Sequence, residues 1–455
     1  MKKIRRKTKI KYSPIHKPKV TIYRSRIIHP VSPLQVEEFK DGALVVDAGG
    51  KIVACGDYAR YQKANGVKYD QAKLVDKRGG IIIPGLIDCH LHLPQLDLRG
   101  KHGATLLDWL KKYIFPAETA FANQRLAEDL SKRFFKKLIL NGTTTAAIYT
   151  TIHAKSTDHV FKIAKASGVR VIIGKVMMDM YSPAGLQENT HNSLKESEAL
   201  CSKWHGSSGG RLMYAFTPRF APTCSEEMWL EVGKLARESG AYIQTHIAET
   251  KAENERVKEL FPDYKDYTEI YEENDCLGPK TILGHAIYLT DDELRRLAKT
   301  KTKLVHCPTS NFFLKSGRMP VELIEEHGIT YGLGTDVGAG TSMSLFTTMR
   351  HADYVQPHLA VSPVKAFYLA TLGGAKALSL DSSVGNFKAG KAADFCTVDI
   401  SAIDPRYKLG ELSADEILSL LMYRGNGSVI KETYVNGQRL DVDGLKIKGE
   451  KISFI

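Results

Sequence analysis

Between residues 86 and 335, eight short apolar runs alternate with stretches of helical periodicity, and this pattern constrains the fold more than anything else in the chain. The runs occupy 86–92, 143–149, 169–174, 212–217, 241–246, 281–285, 303–306 and 330–335. Each has the length of a buried strand. Helical patterns, such as 226–238 and 291–299, stand between most of them. A strand–helix unit repeated eight times predicts an α/β fold, a (β/α)8 TIM-like barrel over 85–384. The alternative is an open doubly wound sheet, which ordinarily carries a Gly-rich phosphate loop after its first strand. Here His90-Leu91-His92 stands at that place.

The flanks read differently. Strand candidates at 20–23, 42–47 and 51–55, with an Ala48-Gly49-Gly50 hairpin turn, make a small β unit of 19–84. Residues 385–455 return to short strands and turns, with candidates at 393–398 and 431–437. Neither flank buries much by itself. The two are therefore expected to pack together as one discontinuous β-sandwich beside the barrel.

Charge and cysteine content narrow the function. The net charge is +13, but the first nineteen residues hold nine Lys or Arg and no acid, so the remainder carries +4. The basicity is that of a solvated, disordered tail over 1–18 rather than of a nucleic-acid surface. No apolar run approaches the ~20 residues of a membrane span. The tail is followed by no apolar segment of the kind found in secretory signals. None of the seven cysteines forms Cys-x-x-Cys, which fits reduced thiols in a cytoplasmic protein. The missing cysteine pair also excludes a nucleic-acid deaminase of the His-x-Glu…Pro-Cys-x-x-Cys type.

In a (β/α)8 barrel, chemistry sits at the C-terminal ends of the strands. Those ends carry His90 and His92, Arg219 with Phe220, His246, Glu249 three residues on, His285 and Asp336. Residues i and i+2 of a strand face the same way, so His90 and His92 point together. With His246 and Asp336 they offer three imidazoles and a carboxylate, a set that suits Zn²⁺ and, less well, Fe²⁺. Four protein ligands make either a five-coordinate site or one in which Asp336 stands off as a base. Zinc brings the pKa of water down to about 7. Asp336 and His285 are placed to take a proton from that water, and Glu249 to carry one to a substrate. Cys89 and Cys307, beside motif histidines, are left out of the metal set.

These residues sit in longer motifs: Pro84-Gly85-Leu86-Ile87-Asp88-Cys89-His90-Leu91-His92-Leu93-Pro94-Gln95, Asp108-Trp109-Leu110, Phe115-Pro116-Ala117-Glu118, Thr217-Pro218-Arg219-Phe220, His246-Ile247-Ala248-Glu249, His306-Cys307-Pro308-Thr309-Ser310-Asn311 and Gly334-Thr335-Asp336. The chain resembles the amidohydrolase superfamily and, within it, the guanine deaminase family. The resemblance runs through the barrel and into both flanks. It implies hydrolysis of guanine to xanthine and ammonia in purine catabolism, with one zinc per chain on His90, His92, His246 and Asp336. It implies Glu249, His285 and Asp336 as the catalytic groups. The purine would be held by His92, Leu93, Pro94, Gln95, Arg219, Phe220, His246 and Asp336. It also implies a homodimer, with no nucleic-acid or membrane partner. Binuclear relatives carry a bridging lysine late in the fourth strand. That strand here ends in Thr217-Pro218-Arg219, and Lys175 follows the third, so it reads as a structural or surface lysine. Competing readings are a sibling aminohydrolase acting on 8-oxoguanine, a pterin or an amino-triazine, and, more remotely, a non-catalytic scaffold on a hydrolase barrel.

Overall fold

Pro84 ends one strand and Leu86 begins another, and the two belong to different sheets. The computed structural model describes residues 20–65, 72–103, 106–358 and 361–445. The expected tail over 1–18 lies outside them.

Four strands precede Gly85: β1 (Thr21–Ser32), β2 (Gln35–Val46), β3 (Ile52–Asp57) and β4 (Lys73–Pro84). The barrel strands are β5 (Leu86–His92), β6 (Thr143–Tyr149), β7 (Arg170–Gly174), the two-residue β8 (Val176–Met177), β9 (Leu212–Pro218), β10 (Tyr242–Ile247), β11 (Thr281–His285), β12 (Lys303–His306) and β13 (Tyr331–Leu333). The chain closes with β14 (Phe395–Val398), β15 (Ile430–Val435) and β16 (Gln438–Arg439).

The two flanks meet as expected, and their strands run as one seven-stranded sheet in the order β16-β15-β14-β4-β1-β2-β3. The seam is the apolar run Ile81-Ile82-Ile83: β14 lies antiparallel to it, with Val398 opposite Ile81 and Phe395 opposite Pro84. Tyr23, Ile27, Ile82, Phe395 and Tyr434 form a small core there, with Phe395 and Tyr434 stacked at 4.2 Å. The C-terminal flank departs from the expected strands and turns in one respect. It contains a helix, Ala414–Arg424, opened by a Ser413/Glu416 capping box and burying Ile417, Leu418, Leu421 and Met422. Ser-x-x-Glu ahead of apolar residues one turn apart is a helix start, and it outweighs the short-strand composition around it.

All eight expected barrel runs are strands, and the ladder from β5 to β13 is parallel throughout. Ile87, Ala147, Ile172, Ala215, Tyr242, Ile282 and Val305, one from each of seven strands, cluster with Leu378 and Leu380, so the barrel is packed rather than hollow. Its last edge closes just beyond β13: the Asp336 N–H donates to the His90 carbonyl at 2.8 Å, and the His92 N–H to the Val337 carbonyl at 2.7 Å. Asp88 reinforces the closure by accepting from the Thr335 N–H at 3.0 Å and the Thr335 hydroxyl at 2.5 Å. The end of the eighth strand is thereby brought against the end of the first.

Candidate active site

His90 sits in an irregular stretch of β5. Asp88 pairs with Ala146 but Leu91 with Ile148, so three steps on β5 oppose two on β6. A bulge of this kind re-aims side chains beside functional sites. Here the His90 and His92 rings come to 5.1 Å between centroids. Three other tips turn sharply off their strands: Ala248, His285 and Asp336 take φ values of 49°, 73° and 48°. Left-handed backbone at a non-glycine residue costs about 1–3 kcal/mol, and such residues concentrate where function requires a set geometry.

The side chains converge. His90 Nε2 lies 3.4 Å and His92 Nε2 3.3 Å from Asp336 Oδ1, and His246 Nε2 lies 3.3 Å from His92 Nε2. Neighbouring ligands held at the ~2.0–2.1 Å of a zinc site stand about 3 Å or slightly more apart. The chemistry of the donors fits as well. His246 Nδ1 is 2.7 Å from the Arg219 carbonyl, which can only accept, so this nitrogen carries the hydrogen and Nε2 keeps its lone pair. Burial pushes the His90 imidazole down to about 4 and His246 well below its ordinary value, which keeps both neutral. Burial would raise Asp336, but the imidazoles of His90 and His92 beside it and the charge on His285 outweigh it and hold the carboxyl well below the usual range. Both ring nitrogens of His90, and Nδ1 of His92, are buried without a hydrogen-bond partner among the described residues. Unpaired buried nitrogens are costly, and a cation shared by the three Nε2 atoms and the aspartate relieves the cost where they meet. The four residues therefore fit a divalent metal.

His285 and Glu249 stand beside this group. His285 Nδ1 donates to Asn311 Oδ1 at 2.8 Å, which aims Nε2 at Glu249 Oε2, 3.6 Å away, and at Asp336 Oδ2, 3.9 Å away. Burial alone would lower His285, but the charges of Glu249 and Asp336 raise it above its ordinary value. Glu249 is fixed from the other side by the Ser316 hydroxyl, which donates to Oε1 at 2.7 Å.

The expected purine-holding residues are joined by a group that the motif reading did not place in the site. Glu118 is fully buried; its Oε2 accepts from Arg219 Nη1 at 2.7 Å and its Oε1 from Gln95 Nε2 at 2.9 Å. Gln95 Oε1 in turn accepts from the Gly338 N–H at 3.1 Å. Leu93 and Pro94 are buried in the same short helix as Gln95, with Leu93 part of the main apolar core, and Phe220 is half-buried. Tyr149 also escaped the sequence reading, although it ends β6 as the other tips end their strands. Its ring lies 4.6–5.0 Å from those of His90, His92 and His246. Of the two cysteines left out, Cys89 directs its thiol to the Gly374 carbonyl at 3.7 Å. Cys307 lies close to His285 and Asp336, with burial keeping its thiol neutral. Lys175 is wholly buried and bonded to Glu188 at 2.5 Å and Ser193 at 3.1 Å, a structural rather than a surface lysine.

Residues 81–440 match the Amidohydrolase family. The chain belongs to the amidohydrolase family. Among similar proteins, the guanine deaminase of Escherichia coli K12 is 37% identical over 407 residues, covering 88% of this amidohydrolase and 91% of the relative. The human guanine deaminase is 34% identical over 441 residues, 93% and 97% of the two chains. Among solved structures, a guanine deaminase from C. acetobutylicum with guanine in its active site is 32% identical. Its TM-score is 0.87, with 93% of this chain and 100% of that one covered. Among the described residues of this amidohydrolase, no helix is long and apolar enough to cross a membrane.

Proposed function

We propose that this amidohydrolase deaminates guanine hydrolytically to xanthine and ammonia, with one zinc ion per chain on His90, His92, His246 and Asp336. The observation that carries the reading is the 3.3–3.4 Å spacing of Nε2 and Oδ1 atoms at the strand ends, beside the Glu249–His285 pair. The relatives named guanine deaminase, and the one holding guanine, support the choice of substrate.

Zinc held there supplies Lewis acidity, which makes hydroxide available as a nucleophile near neutral pH. The residues of the chain do the rest. His285 and Asp336 accept the proton that water gives up. Glu249 moves a proton to the ring nitrogen beside C2, so that negative charge does not collect on the purine as the C2–O bond forms. The C2–N bond breaks once the amine is protonated, and ammonia leaves. Leu93, Pro94 and Phe220 supply apolar wall. Arg219 and Gln95 bind the polar edge: a guanidinium has only donors, so it satisfies guanine's ring carbonyl and opposes the amino group that adenine presents there. We also read a barrel of 85–384 with one flanking unit from 19–84 and 385–455, behind a tail of 1–18, in a cytoplasmic homodimer.

The test is ammonia release from guanine, adenine, 8-oxoguanine and cytosine by zinc-loaded protein. Guanine should be the preferred substrate. Zinc-loaded, folded protein that releases no ammonia from guanine would refute the reading.

A further inference from the structure

We propose that Glu118 is the positioning residue of the purine-recognition edge, a buried carboxylate that sets both the Arg219 guanidinium and the Gln95 amide. This rests on the reading above, in which Arg219 and Gln95 hold the base.

Glu118 comes from a helix, Phe115–Ala120, that lies between β5 and β6 in sequence. Its side chain is 1% exposed, and that of Arg219 8%. Each carboxylate oxygen is committed to one partner, Oε2 to Arg219 at 2.7 Å and Oε1 to Gln95 at 2.9 Å. Three consequences follow from donor and acceptor chemistry. The Arg219 charge is balanced by a carboxylate within the protein, so its burial does not depend on substrate. The Gln95 amide has one orientation: Nε2 must face a carboxylate that only accepts, and Oε1 must face the Gly338 N–H, which only donates. Turning the amide over would lose both bonds. Last, the groups left to meet the purine are the second Nε2 hydrogen of Gln95 and the N–H groups of Arg219 beyond Nη1, which have no partner among the described residues. Glu118 therefore decides which donors the base encounters, without needing to touch it.

The perturbation is Glu118→Gln, which keeps the shape but brings an N–H against one of the two donors that the carboxylate accepted. We expect KM for guanine to rise tenfold or more, kcat to fall by a smaller factor, and zinc content to stay at the wild-type level. Adding Glu118→Gln to the Gln95→Ala/Arg219→Ala double variant should change KM no further, because both residues it acts through are gone. A purely structural carboxylate would instead lower Tm and depress kcat alike in both backgrounds. If Glu118→Gln does not fold, Glu118→Asp serves: the shorter side chain keeps the charge but reaches only one partner, and the same rise in KM is expected. Wild-type KM in folded Glu118→Gln, where Arg219→Ala raises it, overturns the proposal alone. An unchanged KM in both Arg219→Ala and Gln95→Ala overturns the recognition reading beneath it.

Discussion

Gly284 allows a test of the metal site that leaves every ligand in place. It lies in β11, paired with His246 of β10 and one residue before His285. A Cβ at this position would stand 2.8 Å from His90 Cε1, 3.0 Å from Nδ1 and 3.5 Å from Nε2. Carbon atoms pack best at about 3.5–4.0 Å, so in Gly284→Ala the His90 ring must retreat by about 0.7–1.2 Å. It has no slack for that: it is fully buried, with Tyr149, His246 and His92 at centroid distances of 4.7, 4.8 and 5.1 Å. Metal–ligand distances tolerate only about ±0.2 Å. Overpacking of this kind costs about 1–3 kcal/mol, and mispositioned ligands lose about 10–100-fold in metal affinity. Gly284→Ala should fold, with a modestly lower Tm, and bind zinc at least tenfold more weakly. The assay is elemental analysis after dialysis against a graded chelator series, with circular dichroism to report the fold. Gly410→Ala is the control, because a Cβ there meets nothing within 4 Å. Folded Gly284→Ala with zinc affinity within twofold of wild type would refute the geometry argued for the site.

Wild-type protein should carry close to one zinc per chain, and chelation should abolish deamination reversibly; a stoichiometry near two would overturn the mononuclear reading. Glu249→Gln should retain its zinc and lose about 10²–10⁴-fold in kcat, whereas more than about a tenth of wild-type kcat would rule out proton transfer by Glu249. Lys175→Met strands the buried Glu188 carboxylate, which burial already raises. It should cost about 3–5 kcal/mol by denaturant unfolding with zinc content unchanged, and loss of zinc would instead place Lys175 at the metal. Asp158 joins Lys162, Lys203 and Trp204 across two helices, and these partners hold its carboxyl, against burial, down to about 2. Its stabilisation is present above the unfolded pKa of about 4 and lost as pH falls toward 2, so Asp158→Asn should cost about 1 kcal/mol at pH 6 and almost nothing near pH 2. An equal loss at both pH values would show that charge is not the cause.

The barrel and the residues proposed to hold the metal were legible in the sequence for a local reason. A buried parallel strand is a short apolar run, and the residue just past it is where a barrel places its chemistry. His90, His92, His246, Glu249, His285 and Asp336 could thus be found one strand at a time. The flanking unit was legible in outline, since two segments too small to bury themselves must share a partner. Its strand order was not, because β4 pairing with β14 joins residues more than 300 apart. The same limit left Glu118 without a role, since the Phe115-Pro116-Ala117-Glu118 motif names the residue but not what it meets. Only the closed barrel sets it against Arg219 and Gln95, 101 and 23 residues away. Ser316, and the role of the motif residue Asn311, were hidden likewise, for both act through the hydrogen bonds they make to Glu249 and His285 rather than through any periodicity. The sequence by itself determined which groups stand at the strand ends, because strand polarity is a local property. Only the tertiary structure decided their separations, partners and protonation, because those depend on burial and on contacts between strands distant in the chain.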